Sequence, residues 1–105
     1  MMKLIGVTSC PSGVAHTYMA AEALETAAKA KGWDVKIETQ GAIGIENVLT
    51  AADVEGADVV VLTKDIAIKQ EERFNGKKIV RVTVAQAAKQ APEIIAKLES
   101  MLAQA

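Results

Sequence analysis

The chain has 105 residues, of which 50% are hydrophobic and 24% charged, and its formal net charge is −1 at pH 7. This is the balance of one globular domain, large enough to bury a modest core without disulfides or metal ions. The near-zero charge, the absence of a basic cluster in the sequence and the 3% aromatic content argue against a nucleic-acid-binding protein, which needs a basic patch and a stacking surface.

The hydrophobic segments are short. The run from Leu4 to Val7 is much shorter than a signal-peptide core, and no later segment approaches the ~20 apolar residues of a spanning helix. We therefore expect a cytoplasmic protein with no direct membrane insertion. The single cysteine, Cys10, excludes an internal disulfide and any site that needs two thiols. We expect neither a metal ion nor a cofactor.

Strand patterns alternate with helix patterns along the chain, which predicts a parallel sheet covered by helices. Continuous apolar residues indicate strands at 3–8 and 59–62, and alternating residues indicate strands at 34–39 and 79–84. Because strands buried on both faces are continuously apolar, the first and third strands are predicted to be central and the others to be edges. Right-handed crossovers then give an α/β fold with an open parallel four-stranded sheet, order 2-1-3-4, and helices on both faces, as in Rossmann-like or flavodoxin-like three-layer sandwiches.

Helices are predicted between and after these strands. The first follows from apolar residues that recur on one side of a 3.6-residue period, namely Val14, Tyr18, Ala21, Leu24 and Ala28. Thr50 and Asp53 match a capping box at the start of a short helix that Gly56 closes. Asn75-Gly76 marks the turn into the fourth strand, and the last helix begins near Ala91.

The loop from Ser9 to Thr17 concentrates the reactive and flexible residues. Ligands of open α/β sheets bind at the carboxyl ends of the strands where the strand order reverses, and this loop leaves the first strand there. Pro11 and Gly13 shape the bend, and small residues leave successive N–H groups free to converge on an anion at the helix N-terminus. We predict that these groups lower the pKa of the Cys10 thiol, so that the nucleophilic thiolate dominates.

Several other polar residues at this edge have two interpretations. His16 is either a charge partner or phosphate ligand, or only a polar residue of the first helical turn. Ser12 and Thr17 could donate to phosphate oxygens, although Ser12 is equally suited to cap the helix. Asp65 after the third strand and Gln40 after the second reach the same edge and are accessory candidates, although most aspartates in loops satisfy turns.

One stretch of sequence is specific enough to indicate a family. Cys10-Pro11-Ser12-Gly13-Val14-Ala15-His16-Thr17 and the following residues 18–24 resemble the active-site loop and first helix of fructose-family enzyme IIB domains of the bacterial phosphoenolpyruvate-dependent sugar phosphotransferase system (PTS). The resemblance continues through 38–41, 49–50, 63–65 and 73–77 and so spans nearly the whole chain. Many members have threonine where this chain has Ser12, and both residues provide a hydroxyl.

The resemblance implies a protein-phosphocysteine–sugar phosphotransferase. Cys10 would accept phosphate from a phosphohistidine of a IIA partner and donate it to a sugar, fructose or fructose-like, held by an inner-membrane IIC partner. The phosphate-binding loop would comprise Pro11, Ser12, Gly13, Val14, Ala15, His16 and Thr17. Residues 1–105 would form a single IIB domain, and because the chain ends soon after it, we expect a separate subunit.

Two other classes share parts of this pattern. A small cysteine phosphatase or arsenate reductase would have Cys-x5-Arg after the first strand, but His16 occupies the position of that arginine. A receiver-like or flavin-binding signalling module could use the same architecture. A receiver needs acidic residues where Thr8 and Ser9 stand, and a flavin site needs a free aromatic side chain, whereas Tyr18 is expected mostly in the core.

Overall fold

The computed structural model describes residues 3–9, 14–41, 44–65 and 68–103, without the side chains of 14–16, 41, 102 and 103. The elements in these ranges alternate along the chain. They are β1 (Lys3–Ser9), α1 (Val14–Ala30), β2 (Asp34–Gly41), β3 (Gly44–Glu46), α2 (Ala51–Glu55), β4 (Val59–Thr63), a 3₁₀ helix (Glu71–Phe74), β5 (Ile79–Val82), α3 (Val84–Lys89) and α4 (Ala91–Ala103).

The described strands form one five-stranded, mostly parallel sheet in the order β3-β2-β1-β4-β5. The order of the four parallel strands, β2-β1-β4-β5, is the predicted one. The predicted number of strands was wrong, because β3 pairs antiparallel with β2. This strand has three exposed residues and therefore no apolar pattern that could have revealed it. Gly44 begins it at φ +122, a conformation that glycine adopts without strain.

The position of β2 also corrects a reason used in the prediction. Its residues alternate, yet β2 lies between β1 and β3 and is not an edge. One side of β2 carries the apolar Ile37, and the other side carries Lys36, which binds Asp53, and the buried Glu38. The polar side chains of this alternating pattern therefore bind other protein groups, whereas the prediction placed them against solvent.

Both faces of the sheet are covered by helical segments, as predicted. We call the side packed by α1, α3 and α4 the α1 face; its buried residues include Leu4, Leu24, Ile37, Val61, Ile95 and Leu98. The opposite side, packed by α2 and the 3₁₀ helix, is the α2 face; its buried residues include Ile5, Val7, Val60, Leu62 and Phe74. Successive residues of β1 and β4 thus alternate between two apolar layers, which confirms the interpretation of their continuous apolar runs.

Capping residues set several element boundaries. The Thr50 capping box of α2 is present as predicted. The fourth parallel strand was predicted to reach Val84 but ends at Val82, because Thr83 caps α3 in a second capping box with Gln86. α3 itself was not predicted. α4 begins at Ala91, as predicted.

The buried side of α1 was predicted correctly only in part. Ala21, Leu24 and Ala28 are buried, but the expectation that Tyr18 lies mostly in the core was wrong. Tyr18 is half-buried, and its hydroxyl donates a hydrogen bond to Glu46 Oε1 of β3 at 2.5 Å. That hydrogen bond raises the pKa of Tyr18 above its ordinary value. The neighbouring Thr17 is fully buried.

Candidate functional site

The predicted phosphate loop lies only partly within the described residues. Cys10, Pro11, Ser12 and Gly13 lie outside them, and of Val14, Ala15 and His16 only the main chain is described. The predicted anion nest, the predicted pKa of the Cys10 thiol and the role of His16 therefore stay predictions. Both flanks of the loop are described, since β1 ends at Ser9 and α1 begins at Val14.

The residue directly before Cys10 is held from two neighbouring strands. Ser9 is 3% exposed, and its N–H donates to Thr63 Oγ1 of β4 at 2.9 Å, while the Thr63 hydroxyl donates to the Ser9 carbonyl at 3.2 Å. On the other side, the Ser9 hydroxyl donates to the Gln40 carbonyl of β2 at 3.0 Å. The last residue of β1 is thus held by its hydroxyl to β2 and by its main chain to the Thr63 hydroxyl of β4, directly before Cys10.

The start of α1 is tied to the same strand end. The Thr8 hydroxyl donates to the Thr17 carbonyl at 3.0 Å, and both residues are fully buried. Helix α1 begins at Val14 on this edge and is 17 residues long, so the positive end of its dipole lies here. Strand end and helix start are therefore fixed relative to each other on either side of residues 10–13.

The two accessory candidates reach the carboxyl edge but bind protein groups. Gln40 is 7% exposed; its Nε2 donates to Glu38 Oε2 at 2.8 Å and to the Lys69 carbonyl at 3.1 Å, and its Oε1 accepts from the Lys69 N–H at 2.9 Å. Asp65 Oδ1 accepts from the N–H of Val84 at 2.7 Å, at the first residue of α3. These contacts support a positioning role for Gln40 and a helix-capping role for Asp65.

A buried ion pair beside Gln40 was missed by the sequence analysis. Glu38 is 1% exposed, and Arg73 binds both of its oxygens, Nη1 to Oε1 at 2.9 Å and Nη2 to Oε2 at 2.6 Å. The Leu49 N–H donates to Oε1 at 2.9 Å. The Arg73 guanidinium also lies over the ring of Phe74, 4.8 Å from its centroid. This bidentate geometry is the strong form of a carboxylate–guanidinium contact.

The protonation of Glu38 follows from these bonds. Burial by itself would raise the pKa of Glu38, but the hydrogen bonds from Arg73, Gln40 and the Leu49 N–H outweigh it and hold the pKa below its ordinary value. Glu38 is therefore a buried carboxylate near neutral pH. No local signal marks it, because a glutamate in an alternating strand is also typical of a solvent-facing residue, and Arg73 lies 35 positions away.

Two features of the described residues bear on other functions. Among the described residues, no group of three or more His, Cys, Asp or Glu side chains could hold a metal ion. Within the same ranges, no helix is both long and apolar enough to cross a bilayer. The described residues around the end of β1 form buried hydrogen bonds that hold Ser9 and the first turns of α1 together.

Comparisons with known proteins point to one family. The family model described as "PTS system, Lactose/Cellobiose specific IIB subunit" matches residues 5–97. The chain is 69% identical over 104 residues to the PTS system fructose-like EIIB component 2 of Escherichia coli (strain K12), which covers 99% of this chain and 98% of that protein. It is 43% identical over 94 residues to the PTS system fructose-specific EIIB'BC component of Rhodobacter capsulatus, covering 90% of this chain and 16% of that longer protein.

Solved structures of PTS components have the same fold. The solution structure of the enzyme IIB subunit of a PTS from Escherichia coli K12 matches with a TM-score of 0.93 and 45% identity, over 98% of this chain and 95% of that chain. A crystal structure of a domain from the fructose-specific IIABC component of Borrelia burgdorferi matches with a TM-score of 0.86 and 45% identity, over 91% of each chain. The path of the backbone is thus shared over most of the length.

Proposed function

The chain belongs to the IIB components of the PTS, as a fructose-like member, and we propose that it carries a phosphoryl group on Cys10 between a IIA partner and a sugar. PTS IIB components are phosphotransferases, and they work with IIA and IIC components. The observation that carries the assignment to Cys10 is its place in the sequence. It is the only cysteine, and it directly follows Ser9, which the carboxyl ends of β2 and β4 hold from both sides.

The proposed reaction has two transfers. In the first, the Cys10 thiolate attacks the phosphorus of a phosphohistidine on IIA, so that a P–S bond forms as the P–N bond breaks and the histidine leaves neutral after taking up a proton. In the second, a sugar hydroxyl oxygen attacks the same phosphorus, the P–S bond breaks, the thiolate is restored and the hydroxyl proton is released. Both transfers need in-line positioning and stabilisation of charge on the phosphoryl oxygens.

We assign that stabilisation to the loop Pro11, Ser12, Gly13, Val14, Ala15, His16 and Thr17, and chiefly to its main-chain N–H groups at the start of α1. A helix N-terminus binds anions through unpaired N–H groups and its dipole. The tie between Thr8 and the Thr17 carbonyl supports this assignment, since it anchors the first turns of α1 at the end of β1. Gln40 and Asp65 are assigned to holding the surrounding segments.

The state of the arginines argues against the phosphatase alternative. The sequence has two arginines, and each is bound at both Nη atoms by a glutamate, Arg73 by Glu38 and Arg81 by Glu71. A cysteine phosphatase needs an arginine that clamps the phosphate in this same bidentate way. With both guanidinium groups engaged, this chain is better suited to holding phosphate through main-chain groups.

We propose fructose or a fructose-like sugar as the acceptor. The support is the 69% identity to a fructose-like component along the whole chain, which outweighs the broader lactose/cellobiose description of the family model. The sugar itself would be bound by a membrane IIC partner, so we place residues 1–105 as one IIB domain at the cytoplasmic side of the inner membrane. Phosphohistidine on a IIA protein would be the donor.

Intact-mass measurement after incubation with a phosphorylated IIA protein tests the site. We expect one added phosphoryl group on the wild type and on His16→Asn, and none on Cys10→Ala. The matched pair matters because His16 is the only histidine and the other residue in this loop that could carry a labile phosphate. Release of the phosphate by iodine would identify a thiophosphate. A Cys10→Ala protein that still carries a phosphoryl group would falsify the assignment.

A further inference from the structure

The carboxyl edge of β2 contains a polar network that the family assignment leaves without a role. We define the Glu38 network as Glu38, Gln40 and Arg73 with the main chain of Leu49 and Lys69. The Glu38 carboxylate accepts four hydrogen bonds, two from Arg73 and one each from Leu49 and Gln40. All of its members lie on the α2 face of the sheet or in the segments that cover that face.

A buried ion pair is not an efficient way to stabilise a fold. Removing two charges from water costs several kcal/mol per ion, and well-packed apolar residues in the same place are often as stabilising. In addition, a buried ion pair fixes the orientation of the hydrogen-bonding groups around it. The carboxylate can only accept hydrogen bonds, so the amide nitrogen of Gln40 must face Glu38, and its Oε1 must face the other way.

Gln40 makes contacts at two places, one through its side chain and one through its main chain. Its side chain binds the main chain of residue 69 in both directions, with Nε2 donating to the Lys69 carbonyl and Oε1 accepting from the Lys69 N–H. Its main-chain carbonyl accepts from the Ser9 hydroxyl. One residue therefore joins the segment that precedes the 3₁₀ helix to the residue that precedes Cys10.

We propose that Glu38 and Gln40 are positioning residues for phosphoryl transfer at Cys10. Arg73 holds Glu38, Glu38 orients the Gln40 side chain, and Gln40 ties Ser9 to the segment around Lys69, so that the residue before Cys10 is held in one position. This inference rests on the proposed function, because it takes Cys10 as the residue that carries the phosphate. It goes beyond that function by assigning a role to residues remote in sequence from the loop.

The test compares Glu38→Gln and Gln40→Met with a control, Asp53→Asn. Asp53 also forms ion pairs, with Lys36 at 2.9 Å and Lys3 at 3.5 Å, and caps α2, so its substitution lowers stability on the same face away from the Glu38 network. For each folded protein we would measure single-turnover transfer from phosphorylated IIA, KM for that donor, and the pH profile of Cys10 alkylation. Urea denaturation reports the stability of each variant.

We expect both network variants to transfer phosphate ten- to a hundredfold more slowly, on the order of what a misplaced reacting group costs, with KM unchanged. Their alkylation profiles should shift to higher pH, whereas Asp53→Asn should lose stability and keep both readouts. The double variant Glu38→Gln/Gln40→Met should be no slower than either single variant, because the residues act as a unit. Should Glu38→Gln not fold, Gln40→Met decides alone, since it keeps the Glu38–Arg73 pair.

Folded network variants that transfer phosphate at the wild-type rate would overturn the positioning role. The failure of the proposed function would look different, because the wild type itself would then carry no phosphate on Cys10. Additive rate losses in the double variant would also contradict the proposal, because independent structural defects add.

Discussion

The two faces of the sheet bury different kinds of side chain. On the α1 face, three helices pack apolar residues such as Leu24, Ile95 and Leu98 against the strands. On the α2 face, a five-residue helix and a 3₁₀ helix give less cover, and the carboxylate of Glu38 is buried with the guanidinium of Arg73 beside Phe74. The difference indicates that the α1 face supplies non-directional stability, while part of the α2 face is used for directional bonds at the carboxyl edge.

Replacing Arg73, the partner of the buried Glu38 carboxylate, should have the largest effect on the free energy of unfolding. Arg73→Met should lower the free energy of unfolding by about 4 kcal/mol at neutral pH, because Glu38 is then left buried without its cation. In the wild type the pKa of Glu38 is lowered, so its contribution is fully present above its unfolded pKa of about 4.3 and is lost as pH falls through the lower folded value. Without the cation, burial raises the pKa of Glu38 in Arg73→Met, so the variant gains a proton as pH falls toward the unfolded value, and its deficit relative to wild type should be smaller at pH 4 than at pH 7.

Urea denaturation at pH 7 and pH 4 measures this pH dependence. A matched control is Arg81→Met, which breaks the exposed pair with Glu71 on the same face and should cost only about 0.5 kcal/mol. A loss for Arg73→Met as small as that of the control would show that Glu38 is not a stably buried charge.

An apolar truncation on the α1 face provides the next largest effect. Leu24→Ala removes a fully buried side chain from α1 and should lower the free energy of unfolding by about 3 kcal/mol, through lost burial and the cavity left behind. Since no titrating group is involved, the loss should be the same at pH 7 and pH 4. The same urea measurements check it, and a marked dependence of the loss on pH would contradict the separation of the two faces.

Removal of a helix cap should have the same effect on both faces. Thr50 caps α2 on the α2 face, and Thr83 caps α3 on the α1 face, each in a complete capping box. Thr50→Ala and Thr83→Ala should each cost about 1 kcal/mol, because a cap is a local hydrogen bond that does not depend on the layer it belongs to. Parallel thermal denaturation curves compare them, and a severalfold difference would mean that the sheet faces differ in more than their interiors.

Features that depend on sequence neighbours were predictable. The continuous apolar runs of β1 and β4 identified them as strands buried on both faces, and the Thr50–Asp53 spacing identified the start of α2. The resemblance that begins at Cys10 led to the family, which the comparisons confirmed. The loop residues 10–13 lie outside the described residues, so the predicted geometry around the thiol awaits the experiments above.

Features that depend on partners distant in sequence could not be predicted. The strand β3 makes main-chain hydrogen bonds to β2, and such bonds leave no mark in its three exposed residues. The capping box at Thr83 was hidden by the valines on both sides of it, which extended the predicted strand to Val84. In β2 the alternation of apolar and polar side chains was visible in the sequence, but the protein groups that bind the polar ones were not.

By itself the sequence determined the α/β class, the order of the four parallel strands and the place of Cys10 after a central strand. These depend on periodicity and spacing, which neighbouring residues carry. Only the tertiary structure decided that Glu38 is buried with Arg73 and that Gln40 joins Ser9 to Lys69. The partners of a polar side chain depend on which segments the fold brings together, and no local pattern distinguishes a glutamate that faces water from one that faces an arginine 35 residues away.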